Sequence, residues 1–302
     1  MAVFGTFLFN RTLKQFLACK DLSSASGQAL TQKIKDSAKD SLEKILQAIP
    51  QAQKPHSEAL KKICEGELNR DTEDRFLDNL DSDETLVRSA TKNLLSDSVQ
   101  INPSKLFKRL QENDGSRTEL IDILEFQQKT LAPELYVKNA LKMEKGYAGR
   151  LFAIAQANAE RTNMADLNID PASLQNPDLK IMLIRFLAAV NNAASAKMIC
   201  RFLTDESKIV VIEALKNLKN MSAEFDPSPV ARHMTQMRDQ DVETAFDILR
   251  LKATGKTLPA MTVLKTGKSE EFRRQACQIV VDNITDDSLE SLLLALDVHE
   301  WW

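Results

Sequence analysis

Two stretches of the sequence decide the fold: KIMLIRFLAAV (Lys180–Val190) and KIVVIEALKNL (Lys208–Leu218). Both place apolar residues at the three- and four-residue spacing that one face of an α-helix requires. The second stretch repeats the pattern of the first, in the same order and about 30 residues further along the chain, which indicates an internal repeat.

The position that Met182 and Val210 occupy recurs along the chain. The recurring residues are Val87, Thr118, Ala148, Met182, Val210, Val242 and Phe272. All six intervals between them are close to one another in length, in a range too narrow for chance. The sequence therefore predicts a repeat of about 30 residues.

Prolines mark the same period independently. Pro103 and Pro133 are one such period apart, as are Pro229 and Pro259, and each precedes an apolar-periodic stretch. Proline suits the first turn of a helix because the N–H that it lacks would be unpaired there. Each unit is thus predicted to contain two helices, of which the first is often opened by proline.

Composition agrees with helices and with a sizeable core. The chain has 302 residues, only 8 of them glycine, with 43% hydrophobic and 27% charged residues. Because so short a helix pair cannot bury its apolar faces alone, neighbouring pairs must stack. Stacked pairs form a solenoid.

Three segments resemble the inner helix of HEAT repeats, and their short period is closest to the short bacterial variety. These segments are LDSDETLVRSA (residues 80–90), LTDESKIVVIEA (residues 203–214) and EEFRRQA (residues 270–276). The resemblance implies a right-handed, all-α solenoid of stacked antiparallel helix pairs. It also implies a structural ladder between repeats, formed by turn aspartates and inner-helix arginines. The matching residues are Asp81, Asp83, Arg88 and Arg273.

The repeats are predicted to cover residues 57–302, after an irregular helical N-terminal cap in residues 1–56. Residues 158–177 are rich in turn formers and are interpreted as an insertion. The next repeat position would fall at residue 303, beyond the helix predicted for Ser288–Leu296 and the pair Trp301 and Trp302. The last repeat is therefore expected to be incomplete, and the chain to be a fragment that associates weakly, if at all, through an open C-terminal end.

Catalysis has little support in the sequence. The chain has three histidines, and the one His-Glu pair, His299-Glu300, does not match the paired motifs that bind iron in deoxyhypusine hydroxylases. No catalytic residue, metal ligand or cofactor is predicted. Phycobilin lyases also have short HEAT-like repeats, so a lyase-like protein is one alternative function.

Charge and cysteine usage favour a cytoplasmic, non-enzymatic scaffold or regulatory arm that binds another protein. A net charge of −3 argues against nucleic-acid binding, the four scattered cysteines fit reduced thiols, and the apolar N-terminus is too short for membrane insertion. Residues 178–220 are mildly basic, which suits an acidic partner. The candidate partner contacts are Arg150, Lys180, Arg185 and Lys216. A further alternative is the N-terminal regulatory region of a larger signalling protein with a downstream kinase-like domain.

Overall fold

The computed structural model describes residues 2–98, 101–112, 115–237, 239–261, 269–286 and 288–289. Throughout these residues the regular structure is helical, with no strand, so the chain is an all-α protein. No helix among them is both long enough and apolar enough to cross a membrane. The C-terminal residues on which the incomplete last repeat was predicted, 290–302, lie outside the described residues.

The chain forms two compact units, residues 1–131 and 132–302. The first unit contains eight α-helices among its described residues. They are Ala2–Leu17 (α1), Ala25–Asp36 (α2), Leu42–Ala48 (α3), Lys54–Glu67 (α4), Glu73–Asp78 (α5), Thr85–Asp97 (α6), Pro103–Glu112 (α7) and Arg117–Phe126 (α8). Short 3₁₀ turns at Ile49–Gln51 and Asn79–Asp81 extend α3 and α5.

The second unit continues with short first helices and longer second helices in alternation. Its described α-helices are Pro133–Ala140 (α9), Lys145–Gln156 (α10), Met164–Leu167 (α11), Pro177–Val190 (α12), Ala193–Cys200 (α13), Lys208–Asn220 (α14), Ser228–His233 (α15), Asp239–Lys252 (α16) and Glu270–Asn283 (α17). A 3₁₀ helix at Gly255–Ala260 takes the place of a first helix before α17.

The second helices follow a strict spacing along the chain. From α6 to α17 they begin at positions 85, 117, 145, 177, 208, 239 and 270, so each start follows the one before by about 30 residues. Every recurring residue found in the sequence lies in one of these helices. Thr118 is nevertheless exposed and Met182 half-buried, and in those copies Leu120 and Leu183 are buried instead.

Within each unit the second helices pack on one another in chain order. In the first unit α6 contacts α3 and α8; in the second, α10, α12, α14, α16 and α17 contact one another in succession. The α16–α17 contact includes an edge-on ring pair, Phe246 and Phe272, whose centroids lie 5.1 Å apart. Within each unit, neighbouring second helices therefore share one core.

Three of the four marker prolines lie where predicted. Pro103 and Pro133 are the first residues of α7 and α9, and Pro229 is the second residue of α15. Pro259 differs, because it is the fifth residue of the 3₁₀ helix at Gly255–Ala260. A 3₁₀ helix pairs residues three apart, and so short a segment tolerates the missing N–H at that point.

The structure gives residues 158–177 a different interpretation from the predicted insertion. α11 begins one repeat period after α9, which is the position of a first helix, and 3₁₀ turns flank it at residues 159–161 and 171–173. The polar side chains of this segment interrupt the helix by capping its backbone. Asn163, Asp170 and Asn176 each accept a bond from an N–H two residues later, and Asn168 adopts the left-handed conformation with φ 31°. The segment is thus a first helix broken into short turns.

All four cysteines are free, and Cys64 and Cys200 are buried. Burial in an apolar environment disfavours the thiolate and raises the pKa of each of these two thiols to about 12.

The C-terminal ends of neighbouring second helices are joined by side-chain amides. Asn191, left-handed with φ 51° after α12, donates to Ser222 Oγ at 2.6 Å and accepts from the Ala223 N–H at 3.1 Å. In the first unit Gln127 donates to the carbonyls of Leu95 and Ser98 at 3.3 and 3.0 Å. These bonds tie the end of α12 to that of α14 and the end of α8 to that of α6. The bonds from Gln127 also satisfy carbonyl groups at the end of α6.

Asn191→Gly is expected to lower the free energy of unfolding by about 1 kcal/mol, because glycine keeps the left-handed backbone but loses both amide bonds to residues 222–223. The measurement is the urea midpoint. Asn168→Gly is the matched control, since it occupies the same backbone region and should stay within about 0.5 kcal/mol of the wild type. Equal effects of the two substitutions would contradict a bridging role for Asn191.

Candidate interaction surface

The predicted partner contacts lie on second helices of the second unit. Arg150 belongs to α10, Lys180 and Arg185 to α12, and Lys216 to α14. We call the solvent-facing sides of α10, α12, α14, α16 and α17 the second-helix surface. The four residues differ strongly in exposure and in what they bind.

Lys180 is held inside the structure. Its Nζ lies 2.5 Å from Asp205 Oδ2, and the two side chains are only 13% and 9% exposed. Asp205 Oδ1 also accepts the N–H of Ser207 at 2.9 Å, just before α14 begins. One carboxylate therefore fixes the turn before α14 and also binds the preceding second helix, a geometry that favours a structural role for Lys180.

This ion pair forms one wall of a cleft of about 460 Å³ between residues 170–175 and 201–206. The other charged side chains of the cleft include Arg201 and Glu206, which are exposed. Since Lys180 and Asp205 bind each other, their charges hold the wall of the cleft together.

Among the four predicted partner contacts, Lys180 and Arg185 have defined ion-pair partners, and Arg185 is the more exposed of the two. Its side chain is 57% exposed, and its Nε donates to Glu213 Oε1 at 2.7 Å, while Glu213 is only 15% exposed. The hydrogen bond from Arg185 is the main reason that the pKa of Glu213 is lowered, and the same bond raises the pKa of Arg185. Lys216 is exposed on α14, and Arg150 is half-buried on α10.

Two isoleucines on α14 point away from the core. Ile209 is 65% exposed and Ile212 is 44% exposed. They lie on the same side of α14 as Glu213 and Lys216, because residues at i, i+3, i+4 and i+7 share a helix face. Sequence reasoning missed them because KIVVIEALKNL is apolar at nearly every position. Its core stripe is Val210, Ala214, Leu215 and Leu218, and the two isoleucines fall beside that stripe.

Two of the residues predicted for a structural ladder, Arg88 and Asp81, have defined hydrogen-bond partners. Arg88 donates to the Ser82 carbonyl at 2.5 Å and to Thr85 Oγ1 at 3.3 Å, so it binds the turn that precedes its own helix. Asp81 accepts from Arg109 of α7 at 2.5 Å. Asp83 is exposed, and Arg273 is half-buried on α17.

Ion pairs between residues other than the predicted ladder residues join neighbouring second helices, and we call them the ladder. Lys92 binds Asp122 at 3.2 Å, Arg185 binds Glu213 at 2.7 Å, and Lys219 binds Asp247 at 2.7 Å. In each pair the cation belongs to the earlier helix and the acid follows one repeat period later. Most of these side chains are partly exposed, so each pair adds little stability but specifies which helices are neighbours.

First helices carry ion pairs of the opposite order. Arg109 of α7 binds Asp78 at 3.0 Å as well as Asp81, so here the acid belongs to the earlier helix. Lys105 of α7 likewise lies 3.2 Å from Glu73 of α5. In the sequence these oppositely charged residues lie about one repeat period apart. A search for opposite charges at that spacing could have predicted the ion pairs.

Two buried glutamates connect consecutive first helices. Glu73 and Glu134 are 3% and 4% exposed. They accept hydrogen bonds from the backbone N–H groups of Asn102 and Asn163, which precede α7 and α11. The glutamates are two repeat periods apart, so the same contact occurs once in each unit. A buried carboxylate that binds the unpaired N–H groups at a helix start is stabilised by them.

Lys180→Met is expected to lower the free energy of unfolding by about 3 kcal/mol, because it leaves the Asp205 carboxylate buried and unpaired. Adding Asp205→Asn should recover most of this loss, since the asparagine amide oxygen can still accept the hydrogen bond from the Ser207 N–H without carrying a charge. Urea unfolding of the single and double variants measures the coupling. Lys216→Ala, at an exposed position, is the control and should change stability by less than about 0.5 kcal/mol.

The Arg185–Glu213 pair is expected to contribute stability that disappears in acid. Because the pKa of Glu213 is lowered in the folded chain, this contribution is present above its ordinary value of 4.5 and is lost as the pH falls through the lowered value. Arg185→Gln should therefore lose less stability than the wild type between about pH 6 and about pH 3. In a Glu213→Gln background the same substitution should have no pH-dependent effect, and a persisting effect would assign the titration to another group.

Comparison with known proteins identifies no relative. No model of a known protein family matches the chain, and no curated protein matches it.

Proposed function

We propose that the chain is a right-handed HEAT-type solenoid, with residues 57–302 as stacked repeats and residues 1–56 as an N-terminal cap. Three observations support the stacking. Second helices begin at nearly regular intervals, they pack in chain order within each unit, and ion pairs one period apart join them. These are the features that nearest-neighbour stacking of repeats requires.

We further propose that this solenoid is a non-enzymatic, cytoplasmic scaffold or regulatory arm that binds a partner protein on its second-helix surface. The observation that carries the proposal is the exposure of Ile209 and Ile212, at 65% and 44%, on a helix whose core side is fully occupied. Adjacent exposed apolar side chains beside charged ones are typical of protein-binding surfaces.

The charged groups of this region support binding rather than chemistry. Lys180, Arg185 and Lys219 each hold a carboxylate of the following repeat, which fixes the positions of α12, α14 and α16. A surface built on helices fixed in this way is ordered before a partner arrives, and preorganisation lowers the cost of binding.

The solenoid is expected to be extended in solution. A compact protein of this length would have a radius of gyration of about 19 Å by the general scaling with chain length. Small-angle X-ray scattering of the monomer should give a clearly larger value. A value at the compact limit would contradict the stacking proposed here.

The binding function is tested with a partner captured from the source cells and then purified. Hydrogen exchange of the chain, with and without that partner, is expected to show protection on the second helices of the second unit and little change on α9, α13 and α15. A chain that captures no protein above a tag-only control, or protection confined to first helices, would refute the scaffold proposal.

A further inference from the structure

We infer that the second-helix surface binds an acidic peptide segment with aliphatic or aromatic side chains, and that the contact is centred on α14. The proposed site consists of Ile209, Ile212 and Lys216 of α14 with Arg185 of α12, and we call it the α14 patch. The inference rests on the proposed scaffold function and adds to it the location of the site and the chemistry of the partner.

The repeat supplies its own comparison for the two isoleucines. α12, α14, α16 and α17 begin at equal intervals, at positions 177, 208, 239 and 270, so residues at that spacing are equivalent. The equivalents of Ile209 are Asp178, Gln240 and Glu271, and those of Ile212 are Ile181, Glu243 and Arg274. In α16 and α17 these positions are therefore polar or charged, as expected of exposed helix positions. α14 alone among these four helices has an apolar residue at both positions.

Two exposed cations, Arg185 and Lys216, belong to the same region as the isoleucines. Arg185 and Lys216 are themselves equivalent, one interval apart, and both are exposed. The next equivalent residue, Asp247 of α16, is acidic and is bound by Lys219 and Arg250 at 2.7 and 2.9 Å. The positive character at this position is thus confined to α12 and α14.

The one carboxylate on the same face of α14 is already bound. Glu213 is 15% exposed and accepts bonds from Arg185 Nε at 2.7 Å and from Asn217 Nδ2 at 3.2 Å. Arg185 uses only Nε for this bond, and within the described residues its two terminal nitrogens have no hydrogen-bond partner. A guanidinium held by one edge presents its other donors in a fixed orientation, which suits a carboxylate.

This arrangement defines the partner. Apolar side chains of the peptide would cover Ile209 and Ile212, one carboxylate would bind the open edge of Arg185, and another would lie at Lys216. Arg185 and Lys216 lie at equivalent positions of neighbouring helices, and packed helix axes are about 8–10 Å apart. Two acidic residues that span this distance on either side of an apolar residue would meet both cations.

The test begins with a phage-displayed library of random peptides of about 16 residues, a length that spans two neighbouring helices, selected on the full chain. Selected peptides are expected to be enriched in Asp and Glu together with Leu, Ile, Phe or Trp. After synthesis, their dissociation constants are measured by fluorescence anisotropy. Raising the salt from about 50 mM to about 300 mM should weaken binding, because part of the attraction is between exposed charges.

Variants then locate the site. Ile209→Ser and Ile212→Ser are each expected to weaken binding roughly tenfold, since each removes one buried aliphatic side chain from the contact. Lys216→Glu should weaken binding of the acidic peptide. It should strengthen binding of a peptide version in which lysines replace the acidic residues. Gln240→Ser and Glu243→Ser, at the equivalent positions of α16, are the matched controls and should leave affinity unchanged. Urea unfolding of each variant verifies that these exposed substitutions leave the fold intact.

Several outcomes would overturn the inference. These are selection of basic peptides, absence of selected binders, affinity that survives both isoleucine substitutions, or affinity lost in the α16 controls instead. Self-association that disappears in Ile209→Ser on sedimentation would identify a second copy as the occupant. In all these cases the hydrogen-exchange protection by the captured partner still decides separately whether the scaffold function stands.

Discussion

Burial of the second helices between their neighbours is the constraint on which the rest of the structure depends. α12 buries Leu179, Leu183, Ile184, Phe186 and Leu187, an arc too wide for one partner helix to cover. α10 covers one side of it and α14 the other, while α13 packs against both α12 and α14. Because α14 and α16 likewise contact a second helix on each side, the regular repeat period is a packing requirement in the second unit. Changing one helix alters the core of the pairs before and after it.

The polar contacts follow from that constraint. Once two second helices lie side by side, residues one period apart are neighbours, and opposite charges there stabilise the observed neighbour relative to others. Lys219 with Asp247 is an exposed contact of this kind, and Lys180 makes a more buried one with Asp205, in the turn before α14. Each exposed pair is weak by itself. Because the cation belongs to the earlier helix in every pair, a shift of one helix along the next would break these pairs and is disfavoured. The buried pair adds the larger penalty for a wrong arrangement, since either charge alone would be left unpaired in a poorly solvated place.

The helix pairs and their period could be predicted from the sequence because both depend on local properties. Apolar spacing such as that of Lys208–Leu218 and prolines at helix starts are written in consecutive residues. The sequence predicts an insertion at residues 158–177 because this segment is rich in turn formers. In the structure the segment is a broken first helix, which is recognisable by its position one repeat period after α9. The partner of Asp81 was not predictable, since Arg109 belongs to the next helix pair and its proximity depends on packing. The exposure of Ile209 and Ile212 depends equally on where the neighbouring helices lie.

Stacking also determines what is left for recognition. The apolar side of α12, α14 and α16 packs against neighbouring helices, and several of the charged side chains beside it pair with the next second helix. What remains on α14 is a pair of isoleucines that the core does not need, next to Lys216 and to the open edge of Arg185. Their positions are fixed by contacts that serve folding, since Arg185 is oriented by Glu213 and Asp205 binds the turn that precedes α14. The same interactions that hold adjacent helix pairs together therefore hold these exposed residues in place, and α14 departs from the polar pattern of α16 and α17 at only two of these positions.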